Sequence, residues 1–406
     1  MKHVVLLGNT RNKIVHQMAS HLLERNTTIT IIDGVAGYEH ENLHHIKSRG
    51  YLTLLDRVLL KALPKVIVAF DFIFSSIYFI SSFQFRKLRE FNRLPNLKIS
   101  ISNMLIQRRV LASFEFDYAL CLNVYFFGFG AMLCNSRRFI AQPWGSDVNK
   151  YGVSSPIRFF FMRRCLKAMA YIAPAGRSVI PFMIETYGIQ KEKFVFLPPI
   201  VDSNIFGTIE KKEIIARKNK IGINDESIIF FSCRRFAEGW GPDLIRKLFL
   251  KLCQRIPNAF FIVLSGYESN TLMEEFMNEI PAEKRHQFLF LDKEITLTEF
   301  SYYCQISDFT VSAMTNRDMQ SSSIMQSVSC GAYPILKEQD EYQIMVKEGF
   351  DSLLFKQVDE ALVDDIGKLI STPGLLDQKR ELNRDYFLKR KNSLDYVTIL
   401  NSLDFH

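Results

Sequence analysis

Short apolar runs rich in Val, Ile, Leu and Phe alternate with amphipathic stretches from end to end. In the first half "HVVLLG", "TITIID", "KVIVAF", "LKISIS", "DYALCL", "RFIAQ" and "AYIAP" read as buried strands, with helical patterns such as "NKIVHQMASHLLER" and "PIRFFFMRRCLKAMA" between them. A charged break, "EKKEIIARKNK", follows "FVFLPPIVDSNIF", and a second series opens with "SIIFFSC". There a loop, "RRFAEGWGP", leads to Asp243, a candidate N-cap for the helix "LIRKLFLKLCQRI". "AFFIVLSG" ends at Gly266 before the helix "NTLMEEFMNEI", "QFLFL" precedes "TLTEFSYYCQIS", and "DFTVSA" precedes "DMQSSSIMQSVSCGAYPIL". This alternation predicts an α/β protein of two Rossmann-like doubly wound domains facing across a cleft. The expected division is 1–197, 198–385 and a helical segment, 386–406, packing back on the first domain, with Pro198-Pro199 at the hinge.

The chain's 406 residues suffice for two such cores. Its seven cysteines show no paired spacing, which argues against a disulfide framework or a zinc site and fits a reducing cytoplasm. Charge is divided: residues 1–200 hold 26 Lys and Arg against 12 Asp and Glu, a balance of +14, and the rest hold 25 against 31, so the total is +8. A basic front half suits an anionic membrane surface; no nucleic-acid-binding motif accompanies it, so nucleic acid is not expected as a partner.

The most apolar run, residues 66–83, contains Asp71, which argues against a membrane span. It fits either an interfacial helix with Arg86, Lys87 and Arg89 at lipid headgroups or a core helix with a solvated basic end. His40, His44 and His45 lack an accompanying Cys and are expected in a solvated polar loop.

The chemistry concentrates in "DMQSSSIMQSVSCGAYPIL". A helix starting near Ser321 to Ser323 would offer unpaired backbone N–H groups and its positive dipole end to a phosphate; Gly331 suits the helix end and Pro334 stops it. The competing reading is an ordinary strand-to-helix turn with serine caps.

These segments, in this order, resemble the retaining nucleotide-sugar glycosyltransferases of the GT-B fold, family 4 in particular. Asp318, Gln326, "SVSCG" and Pro334 stand at the spacing of that family's Glu, second Glu and small-residue motif. "QPWGSD", ending at Asp147, matches its Gly-x-Asp turn, "LPPIVDSNIF" its hinge, Arg235 its first-strand arginine, Gly266 its next glycine, and "ISD" its Ala-Asp.

The resemblance implies a nucleotide-diphosphate sugar donor held by Arg235 and the N–H groups of Ser322 and Ser323, with Asp318 on the sugar and Gln326 on the ribose. It implies neighbouring contacts from Gly241, Met319, Gln320 and Ser321, no metal and no other cofactor; the Asp-x-Asp signature of metal-dependent transferases is absent. Asp147 either orients the acceptor hydroxyl or caps a helix. Trp240 occupies the family's lysine place and either stacks on the donor or packs between loop and helix, while Arg234 and Arg317 are candidates to replace the missing cation or are solvated surface arginines.

The implied function is transfer of a sugar, with retention, to a glycan or lipid-linked acceptor in lipopolysaccharide or capsule assembly, by a cytoplasmic enzyme peripheral on the inner membrane face. Two alternatives stay open: another GT-B enzyme such as a nucleotide-sugar epimerase, and a non-catalytic nucleotide-sugar- or carbohydrate-binding partner.

Overall fold

The apolar runs form two fully parallel sheets in a computed structural model. It describes residues 3–7, 18–19, 28–33, 43–47, 116–122, 124, 138–145, 147–197, 201–265, 270–291, 295–314, 321–393 and 396–403. The chain divides into two compact units, Met1–Ile200 with Tyr396–His406, and Val201–Asp395. "KVIVAF", "LKISIS", the 66–83 run, His40 and Pro198-Pro199 lie outside the described residues.

In the first unit β1 (His3–Leu7), β2 (Thr28–Asp33), β3 (Leu43–Lys47), β4 (Tyr118–Leu122), β5 (Phe139–Gln142) and β6 (Tyr171–Ile172) pair in the order β3-β2-β1-β4-β5-β6. His44 and His45, expected in a loop, belong to β3, whose edge position accepts a polar sequence that a central strand would not. Helix α1 (Pro156–Ala168) starts where the Ser155 hydroxyl accepts from Arg158 N at 3.3 Å with Pro156 in the first turn, and α2 (Ile180–Tyr187) follows.

The second unit holds α3 (Lys211–Lys220), β7 (Ile228–Phe236), α4 (Pro242–Arg255), β8 (Ala259–Ser265), α5 (Asn270–Glu279), β9 (Phe288–Leu291), α6 (Leu297–Ile306), β10 (Phe309–Ser312) and α7 (Ser322–Ser329). It continues through β11 (Tyr333–Lys337), α8 (Asp340–Lys347), β12 (Leu353–Phe355), α9 (Glu360–Ser371) and α10 (Leu375–Ser393). Its strand order, β12-β11-β10-β7-β8-β9, is the same Rossmann order as in the first sheet.

Burial on both faces explains the continuous apolar runs. Phe309 lies in register with Phe230, Phe230 with Phe261, and Phe261 with Phe288; the ring centroids are 4.8, 5.5 and 4.7 Å apart. This aromatic row locks four strands against sliding.

The expected boundary at 385/386 is corrected. Helix α10 runs to Ser393, with Tyr386 and Phe387 packed on the second unit's core; only α11 (Tyr396–Ser402) joins the first unit, where Leu400 packs with Val4 and Leu6. Two ion pairs fasten α10. Lys379 meets Asp351 at 2.9 Å and Arg380 meets Asp308 at 2.9 Å, and the other Asp308 oxygen accepts from Ile229 N at 2.8 Å. Asp308→Ala is therefore expected to lower the stability of the second unit by about 2–3 kcal/mol, since an amide and a guanidinium both lose their acceptor; urea unfolding measures this.

Candidate functional site

The site lies at the carboxyl ends of β7 and β10, the neighbours from which the second sheet's crossovers diverge. The sequence suggested a loop from residue 234; instead β7 continues to Phe236, with a register shift between Ser232 and Phe236. Successive side chains on a strand turn opposite ways, and here Arg234 is half-buried while Arg235 is exposed. Arg234, one of the two candidates to replace the missing cation, is thus the more buried of the pair, and the matched Arg235 the more exposed.

The Arg234 guanidinium donates to the hydroxyls of Ser321 at 2.8 Å and Ser323 at 3.2 Å and approaches Met314 Sδ at 3.5 Å. Its Cζ lies 4.0 Å from the centroid of Trp240, a cation–π stack. Trp240 is carried by the turn that ends at Gly241. There φ is +71°, and a Cβ would stand 2.0 Å from the Ala313 carbonyl oxygen, so only glycine lets the turn press against the end of β10. Gly241, not Asp243, caps α4; Asp243 pairs with Arg246 at 3.0 Å.

Ser321 occupies the N-cap of α7 but makes no side-chain bond to that helix; its hydroxyl faces Arg234 instead. The first-turn N–H groups consequently have no side-chain cap from it. Ser322 and Ser323 are half-buried, and Ser321 is buried. The helix ends at Gly331 with φ +99°, as expected.

Gln326, one turn further on, is 6% exposed, so the ribose-contacting role carried over to it has little accessible surface. Gly266, Arg317, Asp318, Met319 and Gln320 lie outside the described residues. Sequence reasoning missed Met314 and Gln339, whose side-chain amide donates to the Met314 carbonyl oxygen. Nothing local marks Gln339, because it reaches the site only through the pairing of β10 with β11.

Asp147, in the first unit, does not have the acceptor-orienting role that the resemblance offered it. It is 0% exposed, and its two carboxylate oxygens accept from Val124 N at 2.8 Å and Trp144 N at 2.9 Å. It fastens a turn, with no surface for an acceptor. Burial pushes its carboxyl from 3.8 up to about 7, against the opposing pull of those backbone donors. Among the described residues no three His, Cys, Asp or Glu side chains group as metal ligands, and no helix is long and apolar enough to cross a membrane.

No protein-family model matches the chain, and no curated protein matches it. Its architecture is nevertheless shared with solved glycosyltransferases. One from Rickettsia africae has a TM-score of 0.65 at 13% identity, covering 99% of both chains. Anabaena HepE, solved in complex with UDP and glucose, has a TM-score of 0.65 at 10% identity, covering 99% of this chain and 98% of that one. WaaG, a glycosyltransferase involved in lipopolysaccharide biosynthesis, has a TM-score of 0.63 at 11% identity, covering 98% and 97%. The chain has the GT-B fold.

Gly241→Ala is expected to destabilise the second unit by at least about 1–3 kcal/mol, through overpacking on Ala313, in thermal unfolding. Asp147→Ala should cost about 1–3 kcal/mol for each buried amide left without an acceptor. Between about pH 4 and 7 the folded chain keeps the Asp147 proton and the unfolded chain does not, so this residue's contribution to stability falls as pH rises through that window. Melting temperatures across it should show a smaller decline for Asp147→Asn than for the native chain.

Proposed function

We propose that the chain is a retaining glycosyltransferase that moves a sugar from a nucleotide-diphosphate donor to a glycan or lipid-linked acceptor. The observation that carries this reading is the Arg234 guanidinium held at the start of α7 by Ser321, Ser323 and Trp240. Helix N-termini at the carboxyl ends of parallel strands are anion sites. A diphosphate seated here would accept from the N–H groups of Ser322 and Ser323 and from Arg234, whose bonds to neutral hydroxyls would give way to stronger charge-assisted ones.

In this reading Arg234 stands in for the family's lysine and Trp240 keeps it aimed. As the acceptor oxygen bonds to the anomeric carbon, the bond from that carbon to the donor phosphate breaks, and the departing diphosphate's charge is met by donors already oriented. A donor phosphate oxygen takes the acceptor proton on the face the nucleotide leaves, which retains configuration. Asp318 orients the sugar, and neither a protein nucleophile nor a protein-held metal takes part.

The setting we propose is assembly of a bacterial surface glycan, a lipopolysaccharide or capsule, by a cytoplasmic enzyme resting on the inner membrane face. Its support is the family resemblance and the +14 balance of residues 1–200.

A panel of labelled nucleotide sugars, with and without membrane extract, tests the reading; no binding or turnover with any donor would sink it. Arg234→Ala should lower turnover about 10²–10³-fold, as loss of an oriented donor does. Arg235→Ala should leave turnover within about threefold, in the range of a surface change. Trp240→Ala should weaken donor binding by about two- to thirtyfold, the worth of one cation–π stack. Chelation by EDTA should not slow the reaction. Trp240 in the lysine place favours one second reading, a non-catalytic nucleotide-sugar-binding protein. That reading gains if the native chain binds donor without turnover and Arg234→Ala lowers only the affinity.

A further inference from the structure

We infer that the exposed face of α1 is the surface by which this protein docks on an anionic lipid bilayer. The inference rests on the proposed lipid-linked acceptor for its purpose, while its evidence is separate. Phe160 is 52% exposed, the most exposed large apolar side chain among the described residues. One exposed Phe is ordinary; its surroundings are not. Helix α1 buries Met162, Cys165 and Leu166, and Arg163, Arg164 and Lys167 are exposed at three, four and seven residues from Phe160, all on one side of the helix. The Arg164 guanidinium carbon lies 5.5 Å from the centroid of the Phe160 ring.

Helix α1 contains no Asp or Glu. Residues 150–193 contain eight Lys and Arg against two carboxylates, Glu185 and Glu192. Several of these cations have structural work: Arg158 donates to the Ser154 hydroxyl at 2.9 Å, and the Arg177 guanidinium carbon lies 4.8 Å from the centroid of the Phe196 ring. Arg163 Nε donates to the Tyr187 carbonyl at 3.1 Å, and Lys193 Nζ donates to the carbonyls of Lys167 and Met169 at 2.7 Å each, so both complement helix C-termini. Arg164 and Lys167 are not in an ion pair with any described residue. Val153, 39% exposed, lies just before the helix.

An aromatic ring flanked by cations, with no carboxylate on the helix, fits the boundary between acyl chains and acidic headgroups: the ring enters the apolar edge while the guanidinium and ammonium groups stay at phosphate level. An acidic protein or a nucleic acid would use the cations but would not require the ring to be buried in hydrocarbon.

The test uses the purified full chain with sedimented vesicles of phosphatidylcholine alone or mixed with phosphatidylglycerol. The native chain should partition to the phosphatidylglycerol vesicles, less so at high salt. Phe160→Ala should weaken that partition about tenfold, and Arg164→Gln and Lys167→Gln about fivefold each. In Phe160→Trp the added fluorescence should shift to the blue on those vesicles and remain unshifted on heparin.

No partition to phosphatidylglycerol vesicles, or partition equal in the native chain and Phe160→Ala, overturns the proposal. Binding to heparin and to vesicles alike without any effect of Phe160 would mark a general polyanion face and overturns it too. Donor turnover without vesicles is the separate control. A chain that turns over donor but ignores vesicles loses only the docking face, and one that docks through Phe160 but takes no donor loses only the transferase reading.

Discussion

The pairing of β10 beside β7 is the constraint on which the second unit's site depends. Their registration is set by Phe309 opposite Phe230, whose rings stack 4.8 Å apart and 8° from parallel. A slip of one residue would turn the paired side chains of β7, Phe230 to Ser232, to the other face of the sheet. The row from Phe309 through Phe288 therefore does more than fill a core. It fixes the stretch of β7 from which the shifted segment carrying Arg234 continues toward the head of α7.

What stands there is a guanidinium seated against serines, a methionine and a tryptophan. The contacts of Arg234 include two hydroxyls, a thioether and an indole. Gly241 supports the same arrangement by letting the Trp240 turn touch the backbone of β10. Packing and hydrogen bonds thus share in fixing the position of Arg234.

Much of the fold was legible because parallel strands buried on both faces leave uninterrupted apolar runs, as "SIIFFSC" and "AFFIVLSG" do. Edges were less legible: β3 carries two histidines and looks like a loop by composition. The serine-rich start of α7 could be read locally, since caps and a terminating glycine have their own chemistry. The choice between Arg234 and Arg235 could not, because it turns on a register shift that only the partner strand reveals. Asp147 misled for a related reason. An Asp in a turn serves a ligand or its own backbone, and only burial with two inward-pointing amides distinguishes the cases. Asp308, matched as a family signature, proves to be a carboxylate shared between Ile229 N and Arg380, which gives a structural reason for an acid at that position.

That shared carboxylate has a temporal consequence. One oxygen of Asp308 holds the start of β7, and the other waits for a guanidinium 72 positions later in the chain. During synthesis the second unit can assemble its strands while Arg380 is still inside the ribosome, but its last clamp closes only once that arginine has emerged. A premature stop upstream of that arginine would leave the unit assembled and unfastened, a natural substrate for quality-control proteases.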